Sequence, residues 1–393
     1  MQALFHNHLR GDRTIWMVAL ILGVISLLAV YSSIASLAVK HDGGTGRFLF
    51  KHLLMLASGG LIMYWASRLK HGIYSRLSQL LLGLTAGLLL LTLLTGSNIN
   101  DASRWLRIPL LGVTFQTSDL AKVVLVVYVA RALAKYREEL GDIRVVVRHV
   151  LLPVLVICGL ILPANFSTAA VLFAVCFLLM FVGGVPVKHL FTFVALAVAG
   201  FALLLILSKS FPGLLPRIDT WVTRIESFGV DDHEANYQVE HAKIAIASGG
   251  VLPNGPGTGA SRNFLPHPYS DMIYAFIVEE YGSLFGGVGL VLLYLILLFR
   301  AVRIAYRCEK PFGALVAMGL ATLLVLQALI NMAVAVNLVP VTGQPLPLVS
   351  MGGTSIWFTC LAIGIVLSVS RAVYDNENEA SEQRGARRTT VIA

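Results

Sequence analysis

Charge is what this sequence has least of. Only 13% of its 393 residues are Asp, Glu, Lys or Arg, 57% are hydrophobic, and the mean hydropathy is +0.79. A soluble fold of this size would show water more polar surface than that composition can supply, so a polytopic helical membrane protein is indicated. Cysteine is scarce too. Cys158, Cys176, Cys308 and Cys360 lie within or beside apolar runs with no CxxC spacing, which argues against a disulfide framework or a cysteine zinc site. The cluster Gly255–Gly259 lacks the Gly-Lys-Ser/Thr ending of a P-loop and follows no strand pattern, so it does not read as a nucleotide site. No small-residue cleavage site follows the first apolar run, which is itself long enough to span, so no cleavable leader is expected. The net charge of +9 is spread over short loops rather than gathered in one patch. Membrane orientation explains it better than a nucleic-acid partner does.

What the chain has in abundance is long apolar runs. Ten are long enough for a helical span, near 15–37, 50–67, 76–95, 117–136, 149–164, 167–184, 189–209, 283–305, 313–338 and 354–373. With the N-terminus in the cytoplasm, the inner loops carry Arg68, Lys70 and Arg76; Lys135, Arg137, Arg144 and Arg148; Lys188; and Arg300, Arg303, Arg307 and Lys310. The tail adds Arg371, Arg384, Arg387 and Arg388, whereas the last outer loop has neither Lys nor Arg. An even number of spans is what keeps this basic tail inside. The expected fold is therefore an all-α integral membrane protein of about ten transmembrane helices, with one large extracytoplasmic loop, about 210–270, between the seventh and eighth. Residues 1–14 form a cytoplasmic N-terminal segment, 15–373 the membrane domain, and 374–393 a cytoplasmic, disordered tail. Within the large loop, Ile218, Trp221, Val222 and Ile225 have the spacing of an amphipathic helix, on the membrane surface or packed in the loop. Asp231, Asp232, His233 and Glu234 form a cluster that reads either as a solvated turn or as a metal site.

The stretch Gly249–Gly282 is long, irregular and rich in Gly and Pro, and it ends with Asp271 entering an apolar run that carries Glu279 and Glu280. A carboxylate at the mouth of a membrane helix is poorly solvated, which suits a general base. It is equally suited to capping the helix, and the local sequence leaves both readings open. Three other clusters are out of place in a plain bundle. Arg104 and Arg107 flank the Trp105–Leu106 pair on an outer loop. Asp119 and Lys122 stand three residues apart near the outer end of the fourth span, on one face. PVTGQPLPLVSMGGTS, from Pro340 to Ser355, is an uncharged outer loop of a kind tolerated at membrane depth only against protein or a cavity. Cations gathered with a lone carboxylate suit a phosphate-bearing substrate with a hydroxyl to deprotonate.

These segments are similar to those of the SEDS family (shape, elongation, division and sporulation), membrane glycosyltransferases that polymerise peptidoglycan from lipid II. The likeness runs through Ala102–Leu106, Phe115–Lys122, Tyr237–Gln238, Gly249–Gly250, Gly255–Gly259, Leu265–Gly282 and Asn331 through Gly343 to Ser355. The resemblance implies that Asp271 is the catalytic aspartate and that Arg104, Asp119, Lys122, Gln238, Arg262, Glu280 and Ser350 meet the substrate. It also implies Mg²⁺ or Mn²⁺ with no organic cofactor, a class B penicillin-binding protein as transpeptidase partner, and other division-complex proteins. The start GDRTIW and the lack of extra domains are closer to division-type than to elongation-type members, which implies a bacterial cytoplasmic membrane location at the septum. Departures from the family pattern are Asp119 for Glu, Thr117 for Pro, Arg262 for Lys, His267 for Glu, and Asn165 where Asp is usual. A lipid II flippase and a non-catalytic division scaffold are the competing readings. The flippase would spread ionisable groups through the membrane depth, and the scaffold would leave Asp271 dispensable.

Overall fold

The computed structural model describes residues 11–40, 45–95, 97–99, 102–108, 113–210, 237–264 and 269–392. The helices are α1 Arg13–Lys40, α2 Thr45–Arg68, α3 His71–Thr95, α4 Thr117–Lys135, α5 Ile143–Ile161, α6 Phe166–Val182, α7 Val187–Ser210, α8 Tyr237–Ser248, α9 Ile273–Arg307, α10 Pro311–Ala335 and α11 Ser355–Ile392. Each of the ten apolar runs is helical, and α8 is added inside the large outer loop. Among the described residues, seven helices are long and apolar enough to cross a membrane, while Phe166–Val182 and Val187–Leu203 are shorter apolar helices. Helix α4 carries four charged residues, Asp119, Lys122, Arg131 and Lys135. The multi-pass, all-α membrane body is as expected. The amphipathic stretch 218–226, the acidic cluster 231–234 and His267 lie outside the described residues.

Two features depart from the expected bundle. Between α3 and α4 the chain forms a small antiparallel sheet, β1 Ser97–Ile99, β2 Ala102–Ile108 and β3 Val113–Gln116, in the order β1-β2-β3. Trp105 pairs with Gln116 and Arg107 with Thr114, while the β1–β2 register shifts between Ser97 and Asn98. The strands are too short for their alternation to stand out from an ordinary loop. At the other end, α11 continues as helix to Ile392, where a disordered tail was expected. Glu, Ala and Arg are frequent there, and all are good helix formers.

Among the seven long apolar helices, α10 and α11 are the most enclosed and α2 and α3 the least. Local chemistry sets the helix ends. Pro311 starts α10 at a position where a missing N–H costs nothing. Asn165 caps α6 by accepting from Thr168 N at 3.3 Å. Asp12 caps α1 by accepting from Thr14 N at 2.8 Å and also takes Arg300 Nε of α9 at 2.7 Å, so the GDRTIW start is a buried latch between two helices. Helix α9 is interrupted by a π-helical turn, Gly282–Val288, and the glycine-rich loop folds back onto it there. A Cβ on Gly249 would stand 2.3 Å from Val278 O, and one on Gly282, at φ +74°, would stand 2.6 Å from Val251 O. Only glycine permits that approach.

Candidate active site

Asp271 sits in the turn that leads into α9 and is half-buried. It is not the helix cap: Met272 occupies that position and makes no side-chain capping bond. Asp271 Oδ1 instead accepts from Ser270 Oγ at 2.8 Å, and Gly343 of the Pro-rich loop lies beside Oδ2, where an added Cβ would be 3.7 Å away. The carboxylate is thus not spent on the helix, and it faces a loop residue that has no side chain. Tyr269 lies close by. Burial, and then the charge of Asp271, push its phenol above the ordinary tyrosine value, so it stays a neutral O–H donor at physiological pH.

The main chain around Asp271 is held from several sides. Asn331 Nδ2 of α10 donates to Asp271 O at 2.9 Å and to Gln344 O at 2.7 Å. Ser350 Oγ donates to Ser270 O at 2.7 Å and accepts from Leu346 N at 2.8 Å, while Met351 N donates to Tyr269 O at 2.9 Å. Gln344 Nε2 reaches Thr168 of α6 at 2.6 Å. Leu348 in the same loop has φ +63°, a conformation an L-residue with a large side chain rarely takes. The carbonyls on either side of it are fixed by Tyr294 Oη on Pro347 O at 2.5 Å and Ser26 Oγ on Val349 O at 2.7 Å. Ser26 also contacts His52 Nε2 at 2.8 Å, so α1 and α9 grip this loop and α2 backs the hydroxyl of Ser26.

The remaining expected residues fall into three groups. Lys122 and Asp119 are both buried and 2.8 Å apart, and Lys122 Nζ also donates to Gln327 Oε1 at 3.0 Å. Both of those lysine contacts are therefore internal to the protein. Glu280 is fully buried at 0% exposure, with Oε1 accepting from Ser32 Oγ at 2.5 Å and Gly257 N at 2.8 Å. Its neighbour Glu279 accepts from Ala260 N at 2.9 Å and from both the N–H and the hydroxyl of Ser261. The two carboxylates clamp the glycine-rich loop onto α9 and α1, so the structure uses Glu280 in folding the loop, not as a surface open to substrate. Ser350 likewise spends its hydroxyl on the turn before Asp271. Arg262 follows that clamp in a short 3₁₀ turn, Ser261–Asn263, and is half-exposed.

Gln238 is half-buried on α8, whose Val239, Ala242 and Ala245 pack with Met272 and Ala275 of α9 and with Val334 and Ala335 of α10. Arg104 lies on β2, with its side chain outside the described residues. The sheet that carries it is joined to the Pro-rich loop where Gln116 N donates to Thr354 Oγ1 at 3.3 Å and Phe115 meets Phe358 edge-on. A cavity of about 380 Å³ between α8 and the glycine-rich loop is lined by His241, Asn254, Thr258, Phe264 and Glu279 among others, and does not include Asp271. Among the described residues no three His, Cys, Asp or Glu gather to hold a metal. A Mg²⁺ ion bound mainly through substrate phosphates and its own waters would need only one or two carboxylates.

Gln327, Thr168 and Gln344 were not among the expected site residues, and Asn331 was noted only as part of a motif. A signal for two of them was present, since Gln327 and Asn331 are polar residues one helical turn apart in an otherwise apolar span.

A family model for the cell cycle proteins FtsW, RodA and SpoVE matches residues 12–375. The probable peptidoglycan glycosyltransferase FtsW of Geobacter sp. (strain M18) is 30% identical over 371 residues, which cover 91% of this chain and 96% of that protein. Stage V sporulation protein E of Bacillus subtilis (strain 168) is 28% identical, covering 92% and 97%. Among solved structures, a chain from a study titled "Structural coordination of polymerization and crosslinking by a peptidoglycan synthase complex" superposes with a TM-score of 0.70 at 27% identity, over 93% of this chain and 98% of that one. The rod shape determining protein RodA of Thermus thermophilus superposes at 0.66 with 27% identity, over 94% and 99%. Sequence and fold agree: the chain belongs to the SEDS family of cell cycle proteins that includes FtsW, RodA and SpoVE.

Proposed function

We propose that this chain is a peptidoglycan glycosyltransferase that polymerises lipid II at the outer face of the cytoplasmic membrane, as the division-type member of its family. Asp271 takes the proton from the 4-hydroxyl of the acceptor's N-acetylglucosamine. That oxygen forms a bond to the anomeric carbon of the donor's N-acetylmuramic acid from the face opposite the leaving group. The bond from that carbon to the pyrophosphate oxygen breaks, its electron pair leaves with undecaprenyl pyrophosphate, and the anomeric centre is inverted. Arg104 and Arg262 are the cations assigned to the pyrophosphate charge. Mg²⁺ or Mn²⁺, carried in on the pyrophosphate, would supply further neutralisation there.

The observation that carries this reading is the carboxylate of Asp271, free of capping duty at the mouth of α9 while its own main chain is held by Asn331. A base so placed loses little to reorientation when the acceptor arrives. The names of the FtsW relatives support the activity and the division role, and the complex in which one structural neighbour was solved supports a class B penicillin-binding protein as partner. The distribution of basic residues supports a cytoplasmic location for both termini. The test is polymerisation of purified lipid II by the chain in complex with its partner. Asp271→Asn keeps the shape but cannot take a proton, so it should bind the partner and form no glycan chains. Polymerisation near the wild-type rate by that variant would overturn the assignment.

A further inference from the structure

Two polar side chains of α10, buried within the membrane body, carry no step of the reaction as derived above. Gln327 is 3% exposed and Asn331 1%, and they stand four residues apart on one face of the helix. Gln327 is fixed in sense by its partners. Lys122 Nζ can only donate and Pro345 O can only accept, so Oε1 must face the ammonium at 3.0 Å and Nε2 the carbonyl at 2.9 Å. Asn331 uses its amide N–H groups on Gln344 O and Asp271 O. Two consecutive carbonyls of the Pro-rich loop, Gln344 O and Pro345 O, are therefore held from α10, and the same helix holds the main chain of Asp271. Such outside donors are needed here, because Pro340, Pro345 and Pro347 have no N–H groups to give and unsatisfied carbonyls are costly at this depth.

We propose that Gln327 and Asn331 are positioning residues for glycan polymerisation: together they set the register of the Asp271 carboxylate against the Pro-rich loop. In this arrangement the Asp119–Lys122 pair acts on the site through Gln327. The ammonium, oriented by Asp119 at 2.8 Å, orients the Gln327 amide, and the amide holds Pro345 O. Asn331, one turn nearer the loop, extends the same hold to Asp271. The inference rests on the reading of Asp271 as the base, and it adds how that base is kept in place.

The test uses the full chain in complex with its penicillin-binding partner and purified lipid II, with turnover counted per folded, partner-bound molecule. Gln327→Glu keeps an acceptor for Lys122 but turns a carboxylate oxygen toward Pro345 O, so it loses the loop contact and adds a negative charge beside the Asp119–Lys122 pair. Asn331→Leu keeps the bulk and removes both donors. Each should lower kcat by roughly a hundredfold, the scale of a misplacement of about 1 Å at the reacting centre, while KM for lipid II stays within about twofold of wild type because neither residue touches substrate. A role in folding alone would lower the yield of complex and leave the per-molecule kcat unchanged, and that result would overturn the proposal. So would a loss carried by KM, which would make these residues substrate contacts. Should Asn331→Leu fail to fold, Gln327→Glu decides alone. Asp271→Asn, measured in parallel, separates the two levels. If it is active, the base assignment fails; if it is inactive while both α10 variants turn over normally, only the positioning inference fails.

Discussion

Removing one partner of the Asp119–Lys122 pair tests whether helix α4 holds substrate or holds the site together. The two side chains are 8% and 2% exposed and 2.8 Å apart, and one oxygen of Asp119, Oδ2, is buried with no hydrogen-bond partner among the described residues. Lys122→Ala leaves that carboxylate without its cation and Gln327 Oε1 without its donor. Stranding one charge of a buried pair typically costs about 3–5 kcal/mol, whereas removing both charges is often nearly neutral. Thermal unfolding of the purified complex should therefore show a large loss for Lys122→Ala and a return toward wild type for Lys122→Ala with Asp119→Ala. Turnover should not follow stability back. In the double variant Gln327 still lacks the ammonium that orients it, so kcat for lipid II should stay low with KM unchanged. Full recovery of turnover in the double variant would reduce the pair to scaffold and refute the link through Gln327. A rise in KM for lipid II in Lys122→Ala would instead place the ammonium on the substrate pyrophosphate.

Other parts of the structure give independent tests. A cytoplasmic reporter fused after Val391 and a periplasmic reporter inserted near Gly229 should both be active; cysteine labelling that put Gly229 in the cytoplasm would overturn the ten-span orientation. Gly249→Ala should destabilise the complex, since its Cβ would stand 2.3 Å from Val278 O, and a melting temperature equal to wild type would show that the loop yields more readily than its packing indicates. Glu280→Ala removes the carboxylate that accepts from Ser32 and Gly257. Gly257 N keeps its bond to Ser32 Oγ at 2.9 Å, but the buried Ser32 hydroxyl loses its acceptor at a cost of about 1–3 kcal/mol, so limited proteolysis should cut the 249–261 loop faster in this variant. An unchanged cleavage rate would exclude the clamp.

The ten spans were legible because length and apolarity are enough to mark a helix in lipid, and all ten runs are helical. Asp271 was legible as a candidate for the same reason any carboxylate is conspicuous beside an apolar run, but its sequence neighbours could not say whether it caps α9. That depended on the turn geometry, which gives the capping position to Met272. Glu280 shows the opposite case. It is as conspicuous in sequence as Asp271, yet its oxygen is taken by Gly257, twenty-three residues earlier in the chain, and by Ser32 on α1. No local pattern encodes that return of the loop. The sheet around Arg104 escaped notice because three short strands carry too little alternation, and the fixed Pro-rich loop was visible only as an uncharged stretch. An ionisable group near a membrane span reads as functional whether it binds substrate or folds a loop. The two uses are separated by whether its hydrogen-bonding capacity is already filled from within. Glu279 and Lys122 have spent theirs on Ser261 and Gln327, and Glu280, with one oxygen held by Gly257 and Ser32 and the other buried without a partner among the described residues, is closed to anything outside. The half-buried Asp271 takes one short bond from Ser270 and faces a glycine, which leaves it the described carboxylate of this group best placed to take a proton from outside.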